Sequence, residues 1–76
     1  MVLAYILVRA DAGKEREMLA KIRGAPEVKD AHIIYGEWDA IIKIEVKDVE
    51  SITSFVVDKL RKIDAVKLTS TMIVAE

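Results

Sequence analysis

The chain has 76 residues, 53% of them hydrophobic and 33% charged, with 12 Lys and Arg against 13 Asp and Glu for a net charge of -1. That size makes one domain, and the near-neutral balance lacks the positive field that draws proteins onto nucleic-acid backbones or anionic lipid. With no cysteine and only His32 as histidine, disulfides, thiolate or multi-histidine metal sites and a thiol nucleophile are excluded.

The first strand is predicted from Val2 to Arg9. Val2 to Val8 is apolar without a break, so neither face of the strand is meant for water. The run is too short for a membrane span and has no basic stretch ahead of it or cleavage pattern after it, so a cytoplasmic protein is expected. Asp11-Ala12-Gly13 turns the chain and offers Asp11 as a cap for a helix from Lys14 to Arg23 with Met18, Leu19 and Ile22 on its apolar side. Gly24, by its tolerance of a left-handed backbone, and Pro26 end that helix.

Val28 to Tyr35 reads as the second strand, and Gly36-Glu37-Trp38-Asp39 as the turn after it. Ala40, Ile42, Ile44 and Val46 then alternate with Ile41, Lys43, Glu45 and Lys47, a strand with one face in the core. Asp48 caps a second amphipathic helix from Val49 to Lys62, with Val49, Ile52, Phe55, Val56, Leu60 and Ile63 at spacings of three and four. Val66 to Ala75 is the last strand.

The order βαββαβ predicts an α+β, ferredoxin-like sandwich in which a four-stranded antiparallel sheet carries both helices on one face. Thr69, Thr71, Ile73, Ile41 and alternate residues of the first strand are expected on the other face. A second copy of the chain is expected to cover it, each buried aliphatic side chain contributing about 1.5 to 3 kcal/mol. The absence of Asn and Gln, together with mixed-sign pairs such as Glu17 with Lys21, suits a thermophile protein.

Few residues carry chemistry. Glu37 and Asp39 put two carboxylates in one turn, but nothing beside them supplies a nucleophile, metal or cofactor clamp, and exposed turns favour acids in any case. No enzyme, no metal and no cofactor are expected. Gly36 permits positive φ and can present backbone N–H groups to a small anion, although a lone hairpin glycine is usually a turn former. Trp38 adds a flat side chain beside Asp39, which suits an interface as well as a ligand. Thr69-Ser70-Thr71 sets hydroxyls on a strand where β-branching alone would justify the threonines. His32 reads as a surface or interface residue, and Met18 and Met72 as core filler.

Taken together, Pro26-Glu27-Val28, Tyr35-Gly36-Glu37-Trp38-Asp39 and Thr69-Ser70-Thr71-Met72-Ile73-Val74 resemble the C-terminal effector domain of the Lrp/AsnC regulator family over almost the whole chain. The resemblance implies an amino-acid-sensing module that dimerises through its sheets and assembles into rings, commonly octamers. It further implies a ligand pocket between dimers drawing on Tyr35, Gly36, Trp38, Asp39, Thr69 and Thr71. The family's usual N-terminal helix-turn-helix has no counterpart in these residues, so direct DNA binding is not expected. Asp64-Ala65-Val66 departs from the family's frequent Pro-Gly-Val.

For a zwitterionic ligand, N–H groups at Gly36 and threonine hydroxyls are expected to take the carboxylate and Asp39 the ammonium, with the two ends open to partial exchange. Apolar surroundings would favour a hydrophobic side chain. Two rival readings remain at this point: an assembly module that joins full-length regulators and binds no small molecule, and a small enzyme of the dimeric α+β barrel type.

Overall fold

Strand alternation and helical periodicity produce the predicted order in the computed structural model, which describes residues 1–75. The elements are β1 (Val2–Ala10), α1 (Glu15–Arg23), β2 (Val28–Ile33), β3 (Ala40–Val46), α2 (Val49–Phe55) and β4 (Val66–Ile73), with α2 continuing as a π-helical turn over Val56–Leu60. The strands lie in the order β2-β3-β1-β4, and every neighbouring pair is antiparallel. This is the ferredoxin-like split βαβ arrangement.

One side of the sheet and the helices form a single core. Ala4, Ile6 and Val8 of β1 and Ala40, Ile42 and Ile44 of β3 are sealed from solvent beneath Met18, Leu19 and Ile22 of α1 and Ile52, Phe55 and Leu60 of the second helix. The π turn explains how Leu60 reaches that core. It stands five residues after Phe55, a spacing that would carry it round the side of an α-helix, whereas an i to i−5 turn returns it to nearly the same face. The Arg61 N–H donates to the Val56 carbonyl at 2.8 Å and closes this turn.

Several local expectations are corrected. β2 ends at Ile33 rather than Tyr35, and β4 at Ile73. Asp11 does not cap α1 with its side chain; its backbone carbonyl accepts from the Lys14 N–H at 3.0 Å instead, and Lys14 holds the cap position. Gly24 ends α1 with right-handed φ −75°, so the left-handed stop is not used. Asp48 does cap α2, accepting from the Ser51 N–H at 2.8 Å and the Ser51 hydroxyl at 2.7 Å. Val49, 53% exposed, lies off the buried face of that helix, and Met72, 47% exposed, is surface rather than core filler.

The largest correction concerns the faces of β4. Its pairing sets Thr69 opposite Val8, Thr71 opposite Ile6 and Ile73 opposite Ala4. Residues paired across an antiparallel sheet share a face, so Thr69, Thr71 and Ile73 lie on the helix side. The open face carries Leu68, Ser70 and Met72 beside Arg9, Leu7 and Tyr5 of β1, with Ile41, Lys43 and Glu45 of β3 beyond. The phase was hidden in the sequence because both sets of alternate positions on β4 mix apolar and polar residues. Even its helix-side residues stay accessible, since α1 packs on β2 and α2 chiefly on β3, leaving this edge strand only loosely covered.

Candidate functional site

One bond closes the β2–β3 hairpin on itself and three fasten it to the end of β1. The Ile34 N–H donates to the Asp39 carbonyl at 2.9 Å, and the Asp39 N–H donates to the Val8 carbonyl at 2.8 Å. The Ala10 N–H donates to Asp39 Oδ2 at 2.8 Å, and Arg9 Nε donates to the Glu37 carbonyl at 2.7 Å. Gly36 sits inside this clamp at φ +130°, a backbone conformation that side-chain-bearing residues rarely adopt. Asp39 therefore has a structural task before any ligand is considered: one carboxylate oxygen satisfies a backbone N–H of β1, and the other remains available.

The clamp borders an open cavity of about 620 Å³. Arg9, Ala10 and Ala12 form the wall from β1 and the following turn, Glu15 that from the start of α1, Gly36, Glu37 and Asp39 that from the hairpin, and Lys67 and Leu68 that from β4. Its volume is that of a small-molecule site. Charged side chains make up five of these nine residues, beside Ala10, Ala12, Gly36 and Leu68.

Of the ligand residues expected from sequence, this cavity brings together Gly36 and Asp39, with Glu37 beside them. Tyr35 is fully exposed and borders a neighbouring depression of about 350 Å³ with Gly13, Arg16 and Asp39. Trp38, half-buried, borders another with Arg9, Glu37 and Leu68, and Thr69 borders one with Lys67 and Leu68. Thr71 is not brought to the hairpin within one protomer; it lines a groove under α2 with Ile52, Val56 and Ile73. His32 is a surface residue whose Nε2 lies 3.0 Å from Asp30 Oδ1. This histidine holds the Asp30 carboxyl below its ordinary range.

Arg9, Glu15 and Lys67 were missed from the candidate set. Arg9 carried a signal, being the charge that ends the apolar run of β1. Lys67 carried none, because its place depends on the register of β4 against β1. Among the described residues there is no group of three or more His, Cys, Asp and Glu able to hold a metal, and no helix is long and apolar enough to cross a membrane.

A model of the Lrp/AsnC ligand-binding domain matches residues 3–76. The chain belongs to that family. It is 38% identical over 73 residues to the HTH-type transcriptional regulator PH1916 of Pyrococcus horikoshii, an alignment covering 92% of this chain and 49% of the regulator. The chain spans about half the length of the curated regulators it matches. The crystal structure of FFRP-DM1 superposes with TM-score 0.93 at 44% identity, over 97% of this chain and 99% of that one. The complex of the transcriptional regulator NMB0573 from Neisseria meningitidis with L-Met superposes with TM-score 0.88 at 27% identity, over 99% and 50% of the two chains. The Lrp/AsnC family is thus one of ligand-binding domains of transcriptional regulators, not of enzymes.

Proposed function

We propose that this chain senses a free amino acid and couples its binding to assembly, acting in transcriptional regulation within the cytoplasm through partners that carry the DNA-binding helices. The observation that carries the reading is the cavity at the clamped Gly36 hairpin in a chain of the Lrp/AsnC ligand-binding family. The L-Met bound to NMB0573 supports an amino acid as the ligand class. The free oxygen of Asp39 accepts from the ligand ammonium, and the backbone N–H at Gly36, a residue lining the same cavity, donates to the carboxylate. Tyr35, Trp38 and Thr69, which border depressions beside the cavity, complete the site where protomers adjoin, and Thr71, remote from it in its own protomer, is contributed by a neighbouring one.

Protomers pair through the open face of the sheet. Leu3, Leu7 and Ile41 are only half-buried there, and Leu68 is 53% exposed. Burying each such side chain against a twin contributes about 1.5 to 3 kcal/mol, and the dimers then close into a ring of the octameric kind. A ligand held between dimers favours the ring by the ratio of its affinities for the ring and the free dimer. Full-length regulators with the same domain offer the same surfaces, so mixed assemblies are expected.

A thermal-shift screen of the twenty amino acids tests the sensing role, because a ligand that binds only the native state raises the melting temperature by mass action. The expected result is a concentration-dependent rise with a subset of them, accompanied by a larger sedimentation coefficient. No rise with any amino acid, together with capture of a full-length regulator, would leave a pure assembly module.

A further inference from the structure

The strand that closes the cavity is irregular at the point where it meets it. Arg9 pairs with Leu68 and Ala10 with Val66, so Lys67 is an extra residue on β4 with no partner on β1. A β-bulge of this kind leaves one residue out of the ladder and re-aims side chains locally, and such bulges gather beside binding sites. Here the bulged residue and the neighbouring Arg9 both line the 620 Å³ cavity. Neither takes part in a salt bridge; among the described residues the ion pairs are His32 with Asp30 and Lys59 with Glu27. Arg9 is also held in place, its Nε committed to the Glu37 carbonyl at 2.7 Å while its terminal nitrogens keep their donors.

Resting on the amino-acid reading above, we propose that Arg9 and the bulge-borne Lys67 are the carboxylate-recognising pair of this cavity, so that the site demands a ligand with a free carboxylate and holds that end of it with side chains of one protomer. Two cations without salt-bridge partners offer an anion local donors in a cavity that also carries three carboxylates, a mixture that suits a zwitterion rather than a simple anion. The guanidinium supplies planar, paired donors, the ammonium a movable point charge, and the nearby Gly36 N–H a third donor. Glu15, Glu37 and Asp39, which line the same cavity, suit the ligand's ammonium.

The experiment compares each of the twenty L-amino acids with its own carboxamide, which keeps the ammonium and side chain but removes the negative charge. Calorimetry and thermal shift are run on the wild type, Lys67→Met and Lys67→Arg. Lys67 is exposed, so both variants are expected to keep the wild-type melting temperature without ligand. The proposal expects the acids that bind to lose roughly ten- to a hundredfold in affinity on amidation, and a similar factor in Lys67→Met, with Lys67→Arg recovering most of it. Equal binding of acid and carboxamide, or unchanged affinity in Lys67→Met, overturns the pair while leaving amino-acid sensing standing. Binding by no amino acid in the wild type overturns both.

Discussion

Asp39 is given two tasks, one holding the hairpin and one meeting the ligand, and two substitutions separate them. Asp39→Ala removes the acceptor 2.8 Å from the Ala10 N–H, a donor on a residue that is itself buried. Leaving a buried donor without its partner costs about 1 to 3 kcal/mol. For a domain of this size each kcal/mol lowers the melting temperature by about 4 to 8 °C, so a fall of roughly 10 °C is expected at a fixed protein concentration. Asp39→Asn keeps an amide oxygen for the Ala10 N–H and removes the charge. It should melt within a few degrees of the wild type while amino-acid affinity falls roughly tenfold through loss of the charge-assisted contact. Differential scanning calorimetry and isothermal titration on the three proteins provide the comparison. An Asp39→Ala protein that melts like the wild type would refute the structural task, and an Asp39→Asn protein with wild-type affinity would refute the ligand task.

Other outcomes follow from the same geometry. Gly36→Ala meets no steric obstacle, since nothing lies within 4 Å of an added Cβ, but it forces alanine to φ +130°; chemical denaturation should report a loss of about 1 to 3 kcal/mol. Met72→Asp places a charge on the open face of the sheet, and sedimentation velocity should move from dimer toward monomer by a factor of ten or more in dissociation constant. An unmoved sedimentation profile would argue that protomers pair elsewhere.

The pH dependence has a definite sign. Lys59 holds Glu27 below its ordinary 4.5, and the Ser51 bonds hold Asp48 below its ordinary 3.8. The unfolded chain therefore binds more protons than the native one in this range. The stability these groups contribute is complete above about pH 5 and drains away as the pH falls through their lowered values. Denaturant midpoints should decline from pH 5 to pH 3, and Asp48→Ala should flatten part of that decline.

The sequence reading worked where one periodicity was decisive. β3 alternates cleanly, so Ala40, Ile42, Ile44 and Val46 could be placed in the core, and all four are buried there. Asp48, three residues before Ser51 and ahead of an apolar periodic run, announced its cap. β4 resisted because apolar residues occupy both of its phases, and only pairing with β1 decides between them. The site was half legible for a related reason. Gly36 and Asp39 are local in sequence, whereas Lys67 reaches the cavity through a register shift between strands that no single segment encodes. The π turn escaped because the three-and-four pattern through Val56 and Leu60 fits an ordinary helix equally well, and the step from Phe55 to Leu60 acquires meaning only once both are seen buried.

Both borders of the sheet share a device. β2 carries a register shift in which Lys29 has no partner on β3, just as Lys67 has none on β1. An uninterrupted outer strand is a template onto which further strands add without limit, and a kinked ladder bearing an unpaired lysine is a poor one. Growth by strand addition is thereby discouraged at either rim, so a small, apolar-rich chain can remain concentrated in solution without running into fibrils. In the proposed assembly, association is thereby left to the broad surface of the sheet, which a single twin covers completely.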